Sequence, residues 1–383
     1  MSKSIATITC LTVMLLALLA SCASSEQPDS EAAGDPSDFQ VVDATALTLQ
    51  PVTEDLQDPW GMDFLSSDQL LVTEQGGRLL LVDLANGSQQ EISGVPASER
   101  AGQGGLLDVL VEHSEDTVMV YLSYSIAGDG GYTTRVARGR LQGTTLVDLE
   151  VLFTAQPFYD TKRHFGSRLL IADGYLYATV GDRAQRKFAQ DLTTHNGTVI
   201  RLHPDGRVPA GNPFVDRSGA RPEIWTYGHR NPQGMARHPD GSIWVSEHGP
   251  QGGDELNRLQ AGANYGWPII TYGEEYGGGK IGEGSARAGM QQPLKYYLPS
   301  IATAGIDFYQ GDRYNWDPSV LVAGLRFTHL NRVTLEGAGV GAEYRHFGER
   351  KLRFRDVQVG PDGYVYVLAG GDTLYRVEPS GSH

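Results

Sequence analysis

Gly234-Met235-Ala236-Arg237-His238-Pro239-Asp240-Gly241-Ser242-Ile243-Trp244-Val245 holds two short apolar strands and the turn that joins them. Proline suits the first corner of a tight turn, and Asp-Gly permits the reversal after it. The unit recurs. It stands at Trp60–Phe64 with Gln69–Glu74, at Leu106–Leu110 with Val118–Ser123, and at Arg168–Ile171 with Tyr175–Val180. It returns at Gly305–Phe308 with Val320–Ala323, and at Asp356–Val359 with Tyr364–Leu368, where Pro361-Asp362-Gly363 makes the turn. A third Pro-Asp-Gly lies at 204–206. After residue 40 the hydrophobic pattern is β, with no long amphipathic helix. A β-sandwich would not explain the internal similarity. Six repeats that cannot each bury both faces alone predict an all-β, six-bladed β-propeller with four-stranded antiparallel blades.

The chain's start has a different character. Lys3 precedes an apolar run, Leu11 to Ala20, too short for a comfortable membrane span. Leu19-Ala20-Ser21-Cys22 matches a bacterial lipobox, which implies a lipoprotein signal peptide over 1–21 and lipidation of Cys22. Residues 22–38, rich in Ser, Asp, Glu, Pro and Ala, read as a disordered acidic tether. The propeller is then expected over 39–383. The expected location is the cell envelope, facing the periplasm, with the membrane reached through the lipid alone. Cys10 would leave with the signal and Cys22 would be acylated, so the mature fold would hold no disulfide. With 31 Lys and Arg against 46 Asp and Glu, the formal net charge is −15. That acidity argues against a nucleic-acid partner.

Two polar, glycine-rich loops flank the strand Ser242–Val245: Tyr227-Gly228-His229-Arg230-Asn231-Pro232-Gln233 and Ser246-Glu247-His248-Gly249-Pro250-Gln251-Gly252-Gly253-Asp254-Glu255. Packing alone does not require them. Their cation, amides, imidazoles, carboxylates and freely shaped backbone suit a metal ion held beside an anionic, planar ligand. With Arg163-His164-Phe165-Gly166-Ser167-Arg168, Gly102-Gln103-Gly104-Gly105 and Arg353-Phe354-Arg355-Asp356, in this order, the chain closely resembles the soluble PQQ-dependent aldose sugar dehydrogenases over roughly residues 40 to 380.

The resemblance implies oxidation of an aldose at C1 to the lactone, with PQQ and calcium as cofactors and an electron acceptor the sequence does not name. His164 falls in the family's His-x-Gly-x-Arg motif and would be the catalytic base. Gln103, Arg230, Asn231 and Tyr276 would contact PQQ. So would Gly324, Leu325 and Arg326, where arginine replaces the lysine of close relatives. Arg353, Phe354 and Arg355 complete that set; arginines two apart on a strand share a face and would meet the carboxylates of PQQ. The carbonyls of Gly249 and Pro250 would reach calcium, a hard cation that takes oxygen ligands. Glu255 and the Tyr265 carbonyl would hold a further ion. Asp182–Arg186 is a candidate substrate loop. A calcium-dependent, lactonase-like hydrolase on the same fold and a non-catalytic binding propeller are the rival readings.

If the lipobox is read correctly, Cys22→Ser leaves an active, soluble enzyme and abolishes membrane retention. Fractionation of the variant with membranes would refute that reading.

Overall fold

The computed structural model describes residues 41–43, 47–314 and 316–379; the expected signal peptide, Cys22 and the tether lie outside them. Six antiparallel sheets follow one another along the chain. Blade 1 comprises Pro59–Phe64, Gln69–Glu74, Leu79–Asp83 and Gln89–Ile92; blade 2 comprises Leu106–His113, Val118–Gly128, Gly131–Gln142 and Thr145–Thr154. Blade 3 is Gly166–Ala172, Tyr175–Val180, Thr198–Leu202 and Ile224–Tyr227; blade 4 is Pro232–Arg237, Ile243–Glu247, Asp254–Arg258 and Lys295–Tyr297. Blade 5 runs Thr303–Tyr309, Ser319–Gly324, Leu330–Glu336 and Gly339–His346, and its last strand also pairs in parallel with Val41–Asp43. Blade 6 has Phe354–Val359, Val365–Ala369 and Thr373–Pro379. Its fourth strand, Leu47–Thr53, comes from the other end of the domain, with Leu49 opposite Val377.

The first strand of each blade packs against the first strand of the next, and that of blade 6 against that of blade 1. These six inner strands line a closed ring. The second strands explain the closure, because both of their faces are apolar. Leu71 enters a core shared with Val109 and Val120 of blade 2, while its neighbours Leu70 and Val72 enter one shared with Tyr366 and Leu368 of blade 6. Trp244 faces blade 5; Ile243 and Val245 face blade 3. Period-2 alternation therefore feeds two cores from one strand, and the strand reads as an uninterrupted apolar run.

The channel side is stitched by carboxylates. Asp63 accepts a hydrogen bond from Val111 N of the next blade (2.6 Å), and Asp307 accepts one from Val359 N (2.8 Å). Asp108 accepts from Leu169 N (2.7 Å) and Asp356 from Met62 N (3.1 Å). Burial pushes Asp63 up to about 7 and Asp307 up to about 6. Arg168 lies among them, buried, donating through one nitrogen to Asp108 (2.7 Å) and Asp356 (3.0 Å), with its guanidinium 4.6 Å from the Trp60 ring.

Arg168→Met should strand two buried carboxylates and cost about 3–5 kcal/mol in denaturant unfolding at neutral pH. The loss should shrink in acid, where the stranded groups take up protons in the folded state. A loss below about 1 kcal/mol would show that the pair is not held by Arg168.

Candidate active site

In a four-stranded meander the connection into a blade's first strand and the connection from its second to its third strand emerge at the same end. Gln103, His164, Arg230 and Arg353 stand on the former connections; Asp182–Arg186, His248–Gly253 and Arg326 stand on the latter. The long excursion between Asp254–Arg258 and Lys295–Tyr297 brings Tyr265, Trp267 and Tyr276 to that mouth, knitted by Tyr265 N donating to Tyr227 O (2.8 Å) and Trp267 N to Gly228 O (2.9 Å). A cleft of about 520 Å³ results, lined by Gln103, Arg163, His164, Asp182, Ala184, Arg186, Arg230, Trp267 and Tyr276.

His164 sits at φ 55°, a left-handed conformation that a non-glycine residue adopts only when its surroundings enforce it. Gln103 enforces it, because its Oε1 accepts from His164 N (2.7 Å). Asn231 Oδ1 accepts from Gly166 N (3.1 Å), fixing the other side of the loop. The imidazole Nδ1 faces Asp182 Oδ1 at 2.6 Å. A carboxylate only accepts, so Nδ1 carries the proton and Nε2 remains the basic nitrogen. Burial lowers the His164 pKa from its ordinary value, the Arg230 charge adds to that, and Asp182 opposes it. The ring is therefore neutral at pH 7 and able to take a proton.

Positive charge concentrates on the channel side. Arg230, buried, donates to His248 O (3.2 Å). Arg355 donates to Gln233 Oε1 (3.1 Å), and His248 Nε2 meets the same oxygen at 3.1 Å. Burial, then Arg230, Arg355, His164 and Arg353, hold the His248 pKa well below the usual range. Burial and the neighbouring Arg353 and Arg168 bring Arg355 down to about 10. Arg353 itself is exposed, and Phe354, between the two arginines, is fully buried in the core of blade 6.

Gly249, with Pro250 next to it in the chain, borders a second feature. Asp254 is spent on backbone: it accepts from Gly249 N (2.8 Å) and Thr303 N (3.3 Å). Glu255 differs. Asn257 Nδ2 donates to it and to Glu247, both at 3.0 Å, and burial with the Glu247 charge pushes Glu255 up to about 8. A void of about 10 Å³, the size of one small particle, opens beside Glu247, Gly249, Gly253, Glu255 and Tyr265. Gly324, the last residue of its blade 5 strand, and Leu325 after it are buried, and Arg326 is exposed with its guanidinium 5.0 Å from the Phe327 ring. Tyr276 is 70% exposed on the cleft rim.

Three contributors escaped the sequence reading. Asp182 was legible only as part of a loop, although it orients His164. Gln233 joins Arg355 to His248 through its side chain and accepts from Arg168 through its carbonyl (2.9 Å). Trp267 donates from its indole to Asp182 Oδ2 (2.8 Å). Its one sequence signal was an aromatic residue before proline in a glycine-rich loop.

The propeller mouth thus brings an oriented neutral histidine together with a cluster of arginines. The glucose/sorbosone dehydrogenase family model matches residues 56–376, and the chain belongs to that family. It is 41% identical over 355 residues to the aldose sugar dehydrogenase YliI of Escherichia coli (strain K12), covering 88% of this chain and 96% of that protein. The apo crystal structure of the soluble aldose sugar dehydrogenase from Escherichia coli superposes with a TM-score of 0.84 at 38% identity, over 87% of this chain and 99% of that one. The PQQ-bound aldose sugar dehydrogenase of Streptomyces coelicolor gives 0.72 at 28% identity, over 87% and 97%. The chain is thus an oxidoreductase, and the propeller expected from its repeats is the observed fold.

Proposed function

We propose that the protein oxidises aldoses at C1 to the lactone, with His164 as base and with PQQ and calcium as cofactors. The oriented neutral imidazole beside a positively charged, water-accessible cleft carries the proposal. The residues fit both groups. Arg230, Arg353 and Arg355 all bear on His248, and at Arg355 burial with Arg353 and Arg168 outweighs Asp356 and Asp58; a tricarboxylate would supply the missing counter-charge. Gln103, Asn231 and Tyr276 would flank it, with Gly324, Leu325 and Arg326 at the blade 5 side. Glu255, raised by a like charge beside an ion-sized void, fits a calcium ion together with the Tyr265 carbonyl; Gly249 and Pro250 carbonyls would hold the ion nearer the cleft. Among the described residues no three His, Cys, Asp or Glu side chains converge as a metal cage, so main-chain oxygens would supply the rest.

When bound, PQQ would supply a two-electron acceptor for the C1 hydride and calcium a Lewis acid beside it. The chain's own residues do the remainder. His164 Nε2 takes the proton of the anomeric hydroxyl. Asp182 fixes the tautomer and steadies the imidazolium that forms. Arg230 places a fixed positive charge where negative charge grows. The acidic tether and Cys22 would carry this domain at the envelope surface; among the described residues no helix is long and apolar enough to cross a membrane.

The purified domain should be inactive in dye reduction until both PQQ and calcium are added, and full activity after chelation without PQQ would overturn the reading. His164→Ala should still bind PQQ while kcat and kcat/KM fall together by at least about a hundredfold. Arg355→Ala should instead weaken PQQ binding about ten- to a hundredfold.

A further inference from the structure

We infer that Trp267 is a positioning residue of the reaction: its indole N–H holds Asp182 so that the carboxylate aims His164, and its ring seats Arg230 against the same cleft. The inference rests on His164 acting as the base. Asp182 is fully buried and its oxygens are shared out. Oδ1 accepts from His164 Nδ1 (2.6 Å) and from Ala184 N (2.7 Å), and Oδ2 accepts from Trp267 Nε1 (2.8 Å). A carboxylate held at one oxygen alone can swing about its χ2 axis. The indole pins the second oxygen, so the plane of Asp182, and with it the direction of the imidazole, is fixed.

Trp267 is itself held too tightly to be a passive wall. It is 5% exposed. Its N donates to Gly228 O (2.9 Å), its O accepts from Gln190 Nε2 (2.8 Å), and Gln190 also exchanges hydrogen bonds with Asn264 (2.9 and 2.8 Å). The guanidiniums of Arg230 and Arg186 each lie 5.4 Å from its ring. A single side chain therefore touches the carboxylate behind the base and the cation in front of it. Packing could be met by any large apolar group. The N–H aimed at a buried carboxylate is what packing does not need.

The charged and titratable groups facing His164 are Asp182, Arg230 and Arg183, with His248 across the channel side. The indole tempers Asp182 by sharing its charge. Without that donor, Asp182 gives more to the imidazolium, and His164 holds its proton to higher pH.

Trp267→Phe keeps an aromatic ring and removes the donor. Replacement of Trp267 by β-(3-benzothienyl)alanine keeps the bicyclic shape as well and serves if the phenylalanine variant folds poorly. The expected result is a kcat about tenfold lower, with the sugar KM changed less than about twofold, as for loss of one hydrogen bond to a charged group. In the apo-protein, nitrogen-15 NMR should show the His164 titration midpoint moved upward. In an Asp182→Asn background the second substitution should add almost nothing, because the two act through one path. A native kcat with a native His164 titration would overturn the inference. So would a kcat loss that is fully additive with Asp182→Asn, which would mark Trp267 as packing alone. His164→Ala measured alongside separates the two levels: near-normal kcat there sinks the proposed base, while the apo titration still reports whether Trp267 acts on His164.

Discussion

Leu70, Leu71 and Val72 are consecutive on one strand, yet they supply two different cores, one toward each neighbouring blade. The same division holds at Ile243–Val245, at Val320–Ala323 and at Val365–Leu368. A blade built this way exposes an apolar sheet on both sides unless it is flanked twice. No linear row of such blades is stable at its ends. The ring must close, and Leu47–Thr53 closes it by completing blade 6 from the opposite end of the domain. Everything at the mouth depends on that closure, because His164, Arg230 and His248 stand on loops, and Arg355 on an inner strand, that belong to different blades.

The closed ring forces six inner strands to face one another, and the channel they line must be filled with something. Here it is filled with charge. Arg168 ties Asp108 of blade 2 and Asp356 of blade 6 from its place on blade 3, and donates to the Gln233 carbonyl of blade 4. Four blades thus meet at one guanidinium. Gln233 then turns its side chain to Arg355 and His248. The buried network that stabilises the ring is continuous with the groups that face the cleft. A disturbance of the channel should accordingly be felt in the position of Arg355, even though Arg168 itself borders the far cavity with Asp63 and Asp307.

All twelve first and second strands were legible in the sequence, because two apolar faces make runs such as Tyr175–Val180 or Gln69–Glu74 stand out. The outer strands were not. Gln89–Ile92 is exposed at three of its four positions, and Thr145–Thr154 is broken by two register shifts, so neither shows a clean period. The closing strand lies more than three hundred residues from its partner, and nothing local marks the pairing. Site residues divide the same way. Gln103, His164 and Arg230 stand in loops whose glycines and charges are conspicuous, and Arg355 in a strand marked by the paired arginines before Asp356. Asp182 and Trp267 act through each other across a loop excursion, and no spacing in the chain encodes that contact. Arg326 and Tyr276 were legible as residues, but their exposure on the rim was not.

The site is also a place where the fold works against itself. His164 is kept at φ 55° by Gln103, and Glu255 is raised by burial and then by the Glu247 charge. Arg355 is lowered by Arg353 and Arg168. Each of these raises the free energy of the folded chain, by amounts of order 1–3 kcal/mol for a strained backbone alone. On the proposed reading they share one explanation: an anion would relieve the arginines, a cation would relieve Glu255, and the aimed imidazole would serve a proton donor. Binding of PQQ and calcium, as proposed, would offset these costs, since a ligand that binds only the folded state stabilises it with the logarithm of its concentration over Kd. On that reading the strain in this mouth is half of an interaction whose other half would be the cofactors, and the rigid, closed ring supplies the stability that tolerates it.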